Sequence, residues 1–572
     1  MTTKLLSLAV ASLLGIVGTS ALADSDHTVR HVLLISVDGL HQSDLAWFVR
    51  NHPDSALARL VREGVEYTEA VTPFPSDSFP GLVGQVTGGH PKTTGIYYDD
   101  AYSRALLPPG TTRCSGVTPG AEVHYAKNID KDPSRLDAGQ NIPGLYEGAP
   151  ESFALISSLS SHPARDLIDP AHLPVDPQTC QPVYPHQYLK VNTVFDVAHA
   201  RDLRTAWSDK HPAYDILSRS GLAVDDFFTP EIDSAITNTS DTFSALNPGF
   251  VADNISSQLY DEFKVNAVLN WIAGHDHTGF ENPGIPALFG MSFQAVSAAQ
   301  KFVASSYYDP VHLLSKGSGG YTLDPHGHPV PGPVLADAMT FVDTAIGRMV
   351  KGLNLNNTVV IVSAKHGQSP ENRRDLTVIN DKAMIDALNA SWKRKTGSTG
   401  DLVALATNDD SVLLWLSEHS QRAADFAAHF LMHYSGNGLG FDGAGKEVTK
   451  PFTHAGLTRI YAGGRAASFI GVPFNDPRVP DVIGIAKQGS IYANEKLYKI
   501  AEHGGYTRQD RHVALVIAGA GIHHDIVNEH VETTQIAPTI LKLLRLDPNE
   551  LQAVRREGTH ILPNVYSAHL RR

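Results

Sequence analysis

Three stretches of the chain are continuously apolar rather than alternating. They read HVLLISV from position 31, TVVIVS from position 358 and HVALVIAG from position 512. An unbroken apolar run of this length is typical of a strand that is buried on both faces of a sheet. The first run is followed by Asp38-Gly39, so the pattern predicts a buried strand that ends there.

Two further segments have helical periodicity. Residues 55–64 end at Gly64, and glycine commonly stops a helix. Residues 334–353 carry an apolar residue at every third or fourth position, which predicts a stripe packed into the core. That stripe consists of Leu335, Met339, Val342, Ile346 and Met349. Strands that alternate with helices predict an α/β domain with a mostly parallel sheet covered on both faces.

Composition mainly excludes functions. The net charge of −14 is spread along 572 residues without a basic block, which argues against a nucleic-acid polymer as partner, although single nucleotides remain possible. The only two cysteines, Cys114 and Cys180, exclude a cysteine-rich metal site and allow one disulfide. With 28 histidines, any metal would be held by histidine and carboxylate.

The N-terminal segment has the pattern of a secretory signal. One lysine precedes an apolar run, and Ala21 and Ala23 form an A-x-A cleavage pattern. We expect cleavage after Ala23 and a secreted or periplasmic protein; a membrane anchor is the alternative. No later segment approaches the ~20 apolar residues of a spanning helix, so no membrane partner is expected. Residues 24–572 are predicted to form one domain with insertions at about 105–235 and 435–480.

Polar residues recur at the predicted strand ends, where open α/β sheets bind ligands. Asp38 ends the first strand, Lys365-His366 follows another, and His503 lies just ahead of the last. Ser78 starts a predicted helix, where free N–H groups and the dipole favour an anion such as phosphate. Each residue also has a structural explanation: Asp38 can cap a turn, Ser78 can cap a helix, and His-Gly pairs often form turns. Together these residues predict a site.

Four motifs then follow in a recognisable order. The chain reads LISVDGL from position 34, SDSFPGLVGQVTGGHPKTTGI from 76, IVSAKHGQ from 361 and AEHGGY from 501. This order resembles the type I phosphodiesterase and nucleotide pyrophosphatase family of the alkaline phosphatase superfamily, over about Val32 to Leu546. The resemblance implies an alkaline-phosphatase-like three-layer sandwich with inserted cap regions, and a hydrolase of phosphate esters that contains one or two divalent ions, expected to be zinc.

The resemblance also implies roles for individual residues. Ser78 matches the nucleophile, which would attack phosphorus and form a covalent phosphoryl-enzyme. Phe79 matches a position that stacks on a nucleobase in nucleotide-cleaving members; the alternative is simple burial. Asp38, Ser78, His366 and His503 match metal ligands.

Lys365 departs from the family pattern, because it stands where the family has a metal-binding aspartate. An ammonium group cannot ligate a metal. We expect it to occupy the volume of one lost ion and to supply a fixed positive charge near the phosphoryl group. Asp99 stands near a position where the family usually carries an asparagine that donates to a phosphoryl oxygen. A Lys365–Asp99 ion pair would compensate both changes.

The second metal set is also altered. The segment NWIAGHDHTGF, residues 270–280, offers Asp276 and His277 but does not complete the family's D-x-x-x-H spacing. We name both as candidate ligands. Asp209 and His211 are spare ligands or, as the preferred interpretation, part of a polar loop.

These observations predict an exported, metal-dependent hydrolase of phosphate esters that uses Ser78, most simply a phosphodiesterase or nucleotide pyrophosphatase. Two alternatives remain. One is a sulfatase-like or phosphomonoester hydrolase, although Ser78-Phe-Pro-Gly-Leu lacks the arginine of the sulfatase C/S-x-P-x-R motif. The other is a non-catalytic protein whose metal site has decayed.

Overall fold

A computed structural model describes residues 28–139, 164–234, 250–493 and 496–565. The predicted signal segment, residues 1–23, lies outside these ranges. The fold is built around one eight-stranded sheet. Its strands are β1 (His31–Val37), β2 (Val65–Val71), β3 (Thr205–Ser208), β4 (Asp226–Phe228), β5 (Leu288–Phe293), β6 (Thr358–Ser363), β7 (Leu515–Gly519) and β8 (Asp525–Glu532), arranged in the order β8-β2-β7-β6-β1-β5-β3-β4.

The sheet is mostly parallel, as predicted. Strand β1 lies between β6 and β5 and is parallel to both, and β3 is parallel to β5 and β4. Only β7 runs antiparallel to its neighbours in this sheet, β6 and β2. The carboxyl ends of β1, β3, β5 and β6 therefore meet at one edge, which is where such sheets place ligands.

Helices cover both faces of the sheet. Within β1, Val32 and Leu34 pack into one hydrophobic cluster while Leu33 and Ile35 pack into the other. This double burial explains why the strand has no polar alternation. The first face is covered by helices Ser78–Thr87, Val194–His199, Ile536–Leu543 and Gln552–Glu557. The second is covered by helices Gln42–Asn51, Ala56–Glu63, Asn254–Ile272, Ala295–Lys301 and Pro333–Gly352.

Two helices fulfil their sequence signals in detail. The first is capped by the Ser55 side chain, spans Ala56–Glu63 and ends at Gly64. In the second, Pro333–Gly352, all five residues of the predicted stripe are buried in the second cluster. The three-layer α/β sandwich is therefore confirmed.

A smaller region lies above the sheet edge and consists of two four-stranded sheets. One contains Glu447–Phe452, Gly436–Phe441, Thr377–Asn380 and Ser490–Ala493; the other contains Val403–Asn408, Ser411–Leu416, Val482–Ala486 and Leu457–Ala462. Helices Asp381–Thr396, Gln421–His433 and Gly464–Ile470 accompany them. The second predicted insertion, 435–480, forms part of this region, while the first, 105–235, also supplies β3 and β4 of the main sheet.

The remaining elements are short. Two-stranded ribbons pair Asp100–Ser103 with Ala121–His124, Ser305–Tyr308 with Leu314–Gly317, and Tyr321–Leu323 with Pro329–Pro331. Short helices span Pro91–Thr94, Pro185–Tyr188 and Arg508–Arg511. Cys114 and Cys180 form a disulfide. In the part of the chain that is described, no helix combines the length and the apolar character needed to cross a bilayer.

Candidate active site

The site lies where the parallel strands end. Asp38 follows β1, Gln294 follows β5, and Lys365-His366 closely follows β6. Strand β3 contributes Asp209 and Lys210 at the same edge. The topology thus brings together residues that are far apart in the sequence.

Ser78 is the first residue of helix Ser78–Thr87, but it is not the helix cap. Asp77 holds that position, and its carboxylate accepts a hydrogen bond of 3.0 Å from the Phe79 amide. Because Asp77 satisfies the capping requirement, the Ser78 hydroxyl is left to face the other site residues. This arrangement excludes helix capping as the role of the Ser78 side chain.

Three side chains surround the Ser78 hydroxyl. Its Oγ lies 3.4 Å from Asp38 Oδ2 and 3.4 Å from His366 Nε2. The ammonium group of Lys210 donates a hydrogen bond of 3.0 Å to the same oxygen. The structure therefore places a potential proton acceptor and a positive charge against one buried hydroxyl.

Asp38 is the carboxylate at the centre of the cluster. Its Oδ2 accepts a 2.7 Å hydrogen bond from Gln294 Nε2 and lies 3.5 Å from Lys365 Nζ and 3.6 Å from Lys210 Nζ. Burial alone would raise the pKa of Asp38, but Lys365, Lys210 and His366 hold it below its usual range. Asp38 is therefore a stable anion in this site.

Lys365 is fully buried and pairs with two carboxylates. Its Nζ lies 3.5 Å from Asp38 and 3.3 Å from Asp209, and it donates a 3.0 Å hydrogen bond to the Tyr214 hydroxyl. Among the described residues Lys365 makes no ion pair with Asp99, so the expected Lys365–Asp99 pair is wrong. Lys365 instead pairs with Asp38, which follows the neighbouring strand β1, and with Asp209, which follows β3 at the same sheet edge.

The sequence interpretation missed Lys210 and Gln294. Lys210 comes directly after Asp209, and its Nζ also donates to Gln294 Oε1 at 3.2 Å. The only sequence signal for Lys210 and Gln294 as site residues was their position, because each follows a buried apolar strand. Asp209, in turn, is part of the site and not of a solvated loop: it is buried and accepts hydrogen bonds from Ser292 and Trp207.

His366 and His503 lie side by side, with ring centroids 4.0 Å apart. His366 Nδ1 lies 3.0 Å from the Gly367 carbonyl, so it carries the proton and leaves Nε2 as the acceptor facing Ser78. Burial, helped by the charges of Lys301 and Lys210, lowers the pKa of His366 to about 3. Burial and His366 likewise lower the pKa of His503 well below its usual range. Both rings are neutral at ordinary pH.

The helix that carries Ser78 approaches the Lys365 backbone very closely. A Cβ atom at Gly81 would lie 2.2 Å from the Lys365 carbonyl oxygen. Any larger residue at position 81 would push Ser78 away from the end of β6. Gly81 therefore allows the close approach of Ser78 to the residues at the end of β6.

Phe79 lies in the core. It is 1% exposed, and its ring stacks on Tyr125 and Tyr214 with centroid distances of 5.1 and 4.5 Å. A nucleobase could reach this ring only if one of the tyrosines moved. The stacking role stays a prediction, and burial accounts for the observed contacts.

Asp99 lies near another carboxyl group of the site, that of Asp77. Burial and the charge of Asp99 raise the pKa of Asp77 well above its usual range, so these two carboxyl groups interact. Burial and the neighbouring Asp100 raise the pKa of Asp99 in turn. The proposed contact between Asp99 and substrate stays a prediction.

The candidate ligands Asp276 and His277 are misplaced. His277 Nδ1 lies 2.7 Å from Asp226, the first residue of β4, and the Asp276 carboxylate accepts hydrogen bonds from its own loop at Thr278 and Phe280. The first residue of a parallel strand lies at the amino edge of the sheet, opposite Ser78. The expectation fails because residues between helix Asn254–Ile272 and the start of β5 must lie at that amino edge.

Two groups of three side chains within the described ranges place possible ligand atoms within 4.8 Å of one another. One contains Asp409, Glu502 and His503; the other contains His211, Glu231 and Asp233. His211 binds the Glu231 carboxylate at 2.8 Å. Glu502 is paired with Lys301 at 3.0 Å and also with Lys499.

A family model describes most of this sequence. The model of type I phosphodiesterase / nucleotide pyrophosphatase matches residues 32–115 and 179–512, which include Asp38, Ser78, His366 and His503. The chain belongs to this family. The family consists of phosphoric ester hydrolases, so the protein is an enzyme of that class.

Two solved structures of the alkaline phosphatase PafA confirm the fold. The alkaline phosphatase PafA is 13% identical, with a TM-score of 0.54 over 91% of this chain and 96% of that one. A four-substitution PafA variant gives a TM-score of 0.57 at 13% identity, over 94% and 99% of the two chains. An inactive variant of murine ectonucleotide pyrophosphatase / phosphodiesterase 5, solved in complex with AMP, is 14% identical over 91% and 96% with a TM-score of 0.48. Among curated proteins none matches this sequence.

Members of the type I phosphodiesterase family are metal-dependent, so the donor set around Ser78 must be tested against a zinc pair. It does not fit. Lys365 and Lys210 place ammonium groups within 3.6 Å of Asp38 Oδ2, and that oxygen also accepts from Gln294. Ammonium groups offer no lone pair and repel a dication. Within the described chain, Asp38 Oδ1 and His503 Nδ1 are buried and have no hydrogen-bond partner. These two atoms are available as metal ligands, and together they could serve at most one ion.

Proposed function

We propose that the protein hydrolyses phosphate esters, most simply diesters, through a covalent intermediate on Ser78. The observation that carries the proposal is the environment of Ser78 Oγ. This oxygen lies at the start of a ten-residue buried helix, 3.4 Å from His366 Nε2 and 3.0 Å from Lys210 Nζ. Nucleophile, acceptor and positive charge are the components of nucleophilic catalysis.

The first step transfers the phosphoryl group. The bond from Ser78 Oγ to phosphorus forms while the bond from phosphorus to the leaving alcohol breaks. The low pKa of His366 makes it too weak a base to deprotonate the free hydroxyl, so the proton passes to His366 Nε2 only as Ser78 Oγ bonds to phosphorus, and then to the leaving oxygen. Asp38 Oδ2 is a poorer acceptor because it already binds Gln294 and two ammonium groups. In the second step water attacks phosphorus, the Ser78–phosphorus bond breaks, and Ser78 regains a proton.

Negative charge on the phosphoryl oxygens meets two stabilising features. The first turn of helix Ser78–Thr87 contributes the positive end of the helix dipole, while its Phe79 N–H is already bound by the Asp77 carboxylate. The Lys210 ammonium group adds a charge beside the reacting oxygen. Both are already in place before substrate binds, so little reorganisation is required.

We propose that a divalent ion, zinc in the sequence interpretation, binds in at most one copy on the His503 side of the cluster. Asp409 and Glu502 each place a carboxylate oxygen within 4.8 Å of a ring nitrogen of His503. No residue of the proposed first step depends on the ion.

The family supports a phosphodiester or a nucleotide as the substrate, and we propose a substrate of that class. The monoesterase and sulfatase-like alternatives share Ser78 and are separated by the choice of assay substrate. We also propose export, with cleavage after Ala23, on the sequence pattern alone.

Replacing Ser78 with alanine tests the proposal. Bis(4-nitrophenyl) phosphate, 4-nitrophenyl phosphate and 4-nitrophenyl sulfate report the three ester classes. Ser78→Ala should lower kcat by several orders of magnitude, about 10⁴-fold or more, because loss of a nucleophile commonly costs that much. Intact mass spectrometry of rapidly acidified wild type should show a phosphoryl adduct that Ser78→Ala lacks.

Ser76→Ala is the matched control. The Ser76 hydroxyl donates to the Gly505 carbonyl at 2.9 Å and does not contact Ser78 Oγ, so this variant should keep its activity. Equal rates in Ser78→Ala and wild type would overturn the nucleophile. A folded wild type inactive on every ester would favour the non-catalytic alternative.

A further inference from the structure

We propose that Lys210 is a catalytic residue and that Lys210 and Lys365 together take the place of the divalent ions at Ser78, so that this centre binds and transfers a phosphoryl group without a metal. The inference deepens the proposed function and rests on it. It begins from the disagreement between the lysine-containing cluster and the metal centre expected of the family.

Lys210 directly contacts the reacting atom. Its Nζ is 3.0 Å from Ser78 Oγ, 3.2 Å from Gln294 Oε1 and 3.6 Å from Asp38 Oδ2. Its side chain is 15% exposed, whereas that of Asp38 is 1% exposed. This is the position from which a cation lowers the charge on an attacking oxygen and on the phosphoryl group.

Lys365 provides the second positive charge, from the buried side of the cluster. It is completely buried between Asp38 and Asp209, at 3.5 and 3.3 Å, and is anchored by the Tyr214 hydroxyl. Lys365 therefore does not reach Ser78 itself but neutralises Asp38. Because Lys365 neutralises Asp38, Lys210 remains available to interact with Ser78 and the incoming phosphate.

The two lysines and the two carboxylates with which they form ion pairs balance in charge without an ion. Two ammonium groups face two carboxylates, Asp38 and Asp209, and Gln294 contributes a neutral amide next to Asp38. A dication among these groups would meet two positive charges within a few ångströms. An anionic phosphate ester, in contrast, adds the negative charge that Lys210 can bind.

The test uses full-length protein prepared with and without exhaustive chelation, its metal content measured by elemental analysis. Hydrolysis of bis(4-nitrophenyl) phosphate should differ by less than about twofold between the two preparations. Lys210→Ala should lower kcat/KM by about 10²- to 10³-fold, the range seen when one preorganised transition-state donor is removed. Lys210→Arg keeps the charge and should recover most of that loss. Lys382→Ala, at an exposed lysine on helix Asp381–Thr396, is the control and should match wild type.

A binding measurement separates this inference from the proposed function. Chelated wild type should bind inorganic phosphate in calorimetry, and Lys210→Ala should weaken binding at least tenfold while its folded spectrum is unchanged. An inactive wild type that still binds phosphate through Lys210 would reject hydrolysis but keep the lysine site. Loss of activity on chelation with recovery on added zinc, or phosphate binding that is indifferent to Lys210, would overturn the inference.

Discussion

Replacement of Lys365 with methionine gives the sharpest test of the cluster, because it removes the charge and keeps the apolar stem. In the structure the ammonium group lies 3.5 Å from Asp38 and 3.3 Å from Asp209, and Lys365 is 0% exposed. At an effective dielectric constant of about 20, each pair is worth about 5 kcal/mol of gross attraction. The desolvation of three buried ions offsets much of this sum.

The net effect is the cost of leaving two buried carboxylates without their shared cation. Removing one partner of a buried ion pair costs about 3–5 kcal/mol, and we expect Lys365→Met to lower the free energy of unfolding by that amount. Asp38 keeps Lys210 at 3.6 Å, which places the expected value toward the lower end. The loss should shrink as pH falls, starting above the ordinary carboxyl pKa of about 4, because burial without Lys365 raises the pKa of Asp38 in the variant and favours its protonated form.

Urea unfolding of chelated protein, followed by tryptophan fluorescence between pH 3.5 and 8, measures the effect. Lys365→Asp should be at least as unstable in chelator, and it should gain thermal stability on addition of zinc because a ligand then stands beside His366. Lys382→Met is the control, since that side chain is mostly exposed. An unfolding free energy for Lys365→Met within error of wild type at pH 7 would refute the proposed charge balance.

The remaining predictions concern a buried histidine and the N-terminus. Burial alone would lower the pKa of His41, but Asp44 at 2.9 Å, together with other partners, raises it from 6.5 to about 9. The protonated His41 should therefore contribute about 3 kcal/mol of stability, fully present below pH 6.5 and lost as pH rises through 9. Wild-type and His41→Gln unfolding curves should thus converge above pH 9; a constant difference from pH 6 to 10 would contradict this. Sequencing the N-terminus of exported protein should give Asp24, and an intact Met1 would reject cleavage.

The sequence by itself determined the elements and the family. Strands such as β1 and β6 are apolar on both faces because they are covered on both faces, so their burial is visible in the residue pattern. Helix Ala56–Glu63 has its cap at Ser55 and its stop at Gly64, both local signals. The motifs around Asp38, Ser78, His366 and His503 identified the family because their order along the chain suffices for that purpose.

Only the tertiary structure determined which charged residues pair with one another in the site. Lys365 pairs with Asp209 across 156 positions, and Lys210 reaches Ser78 across 132. Local pattern carries no information about such contacts, since they depend on which strands become neighbours in the sheet. The same topology sends Asp276 and His277 to the amino edge, although their composition suits a metal site. A charged residue at the end of a buried strand predicts that a site exists. The order of the strands in the sheet determines which charged residues come together there.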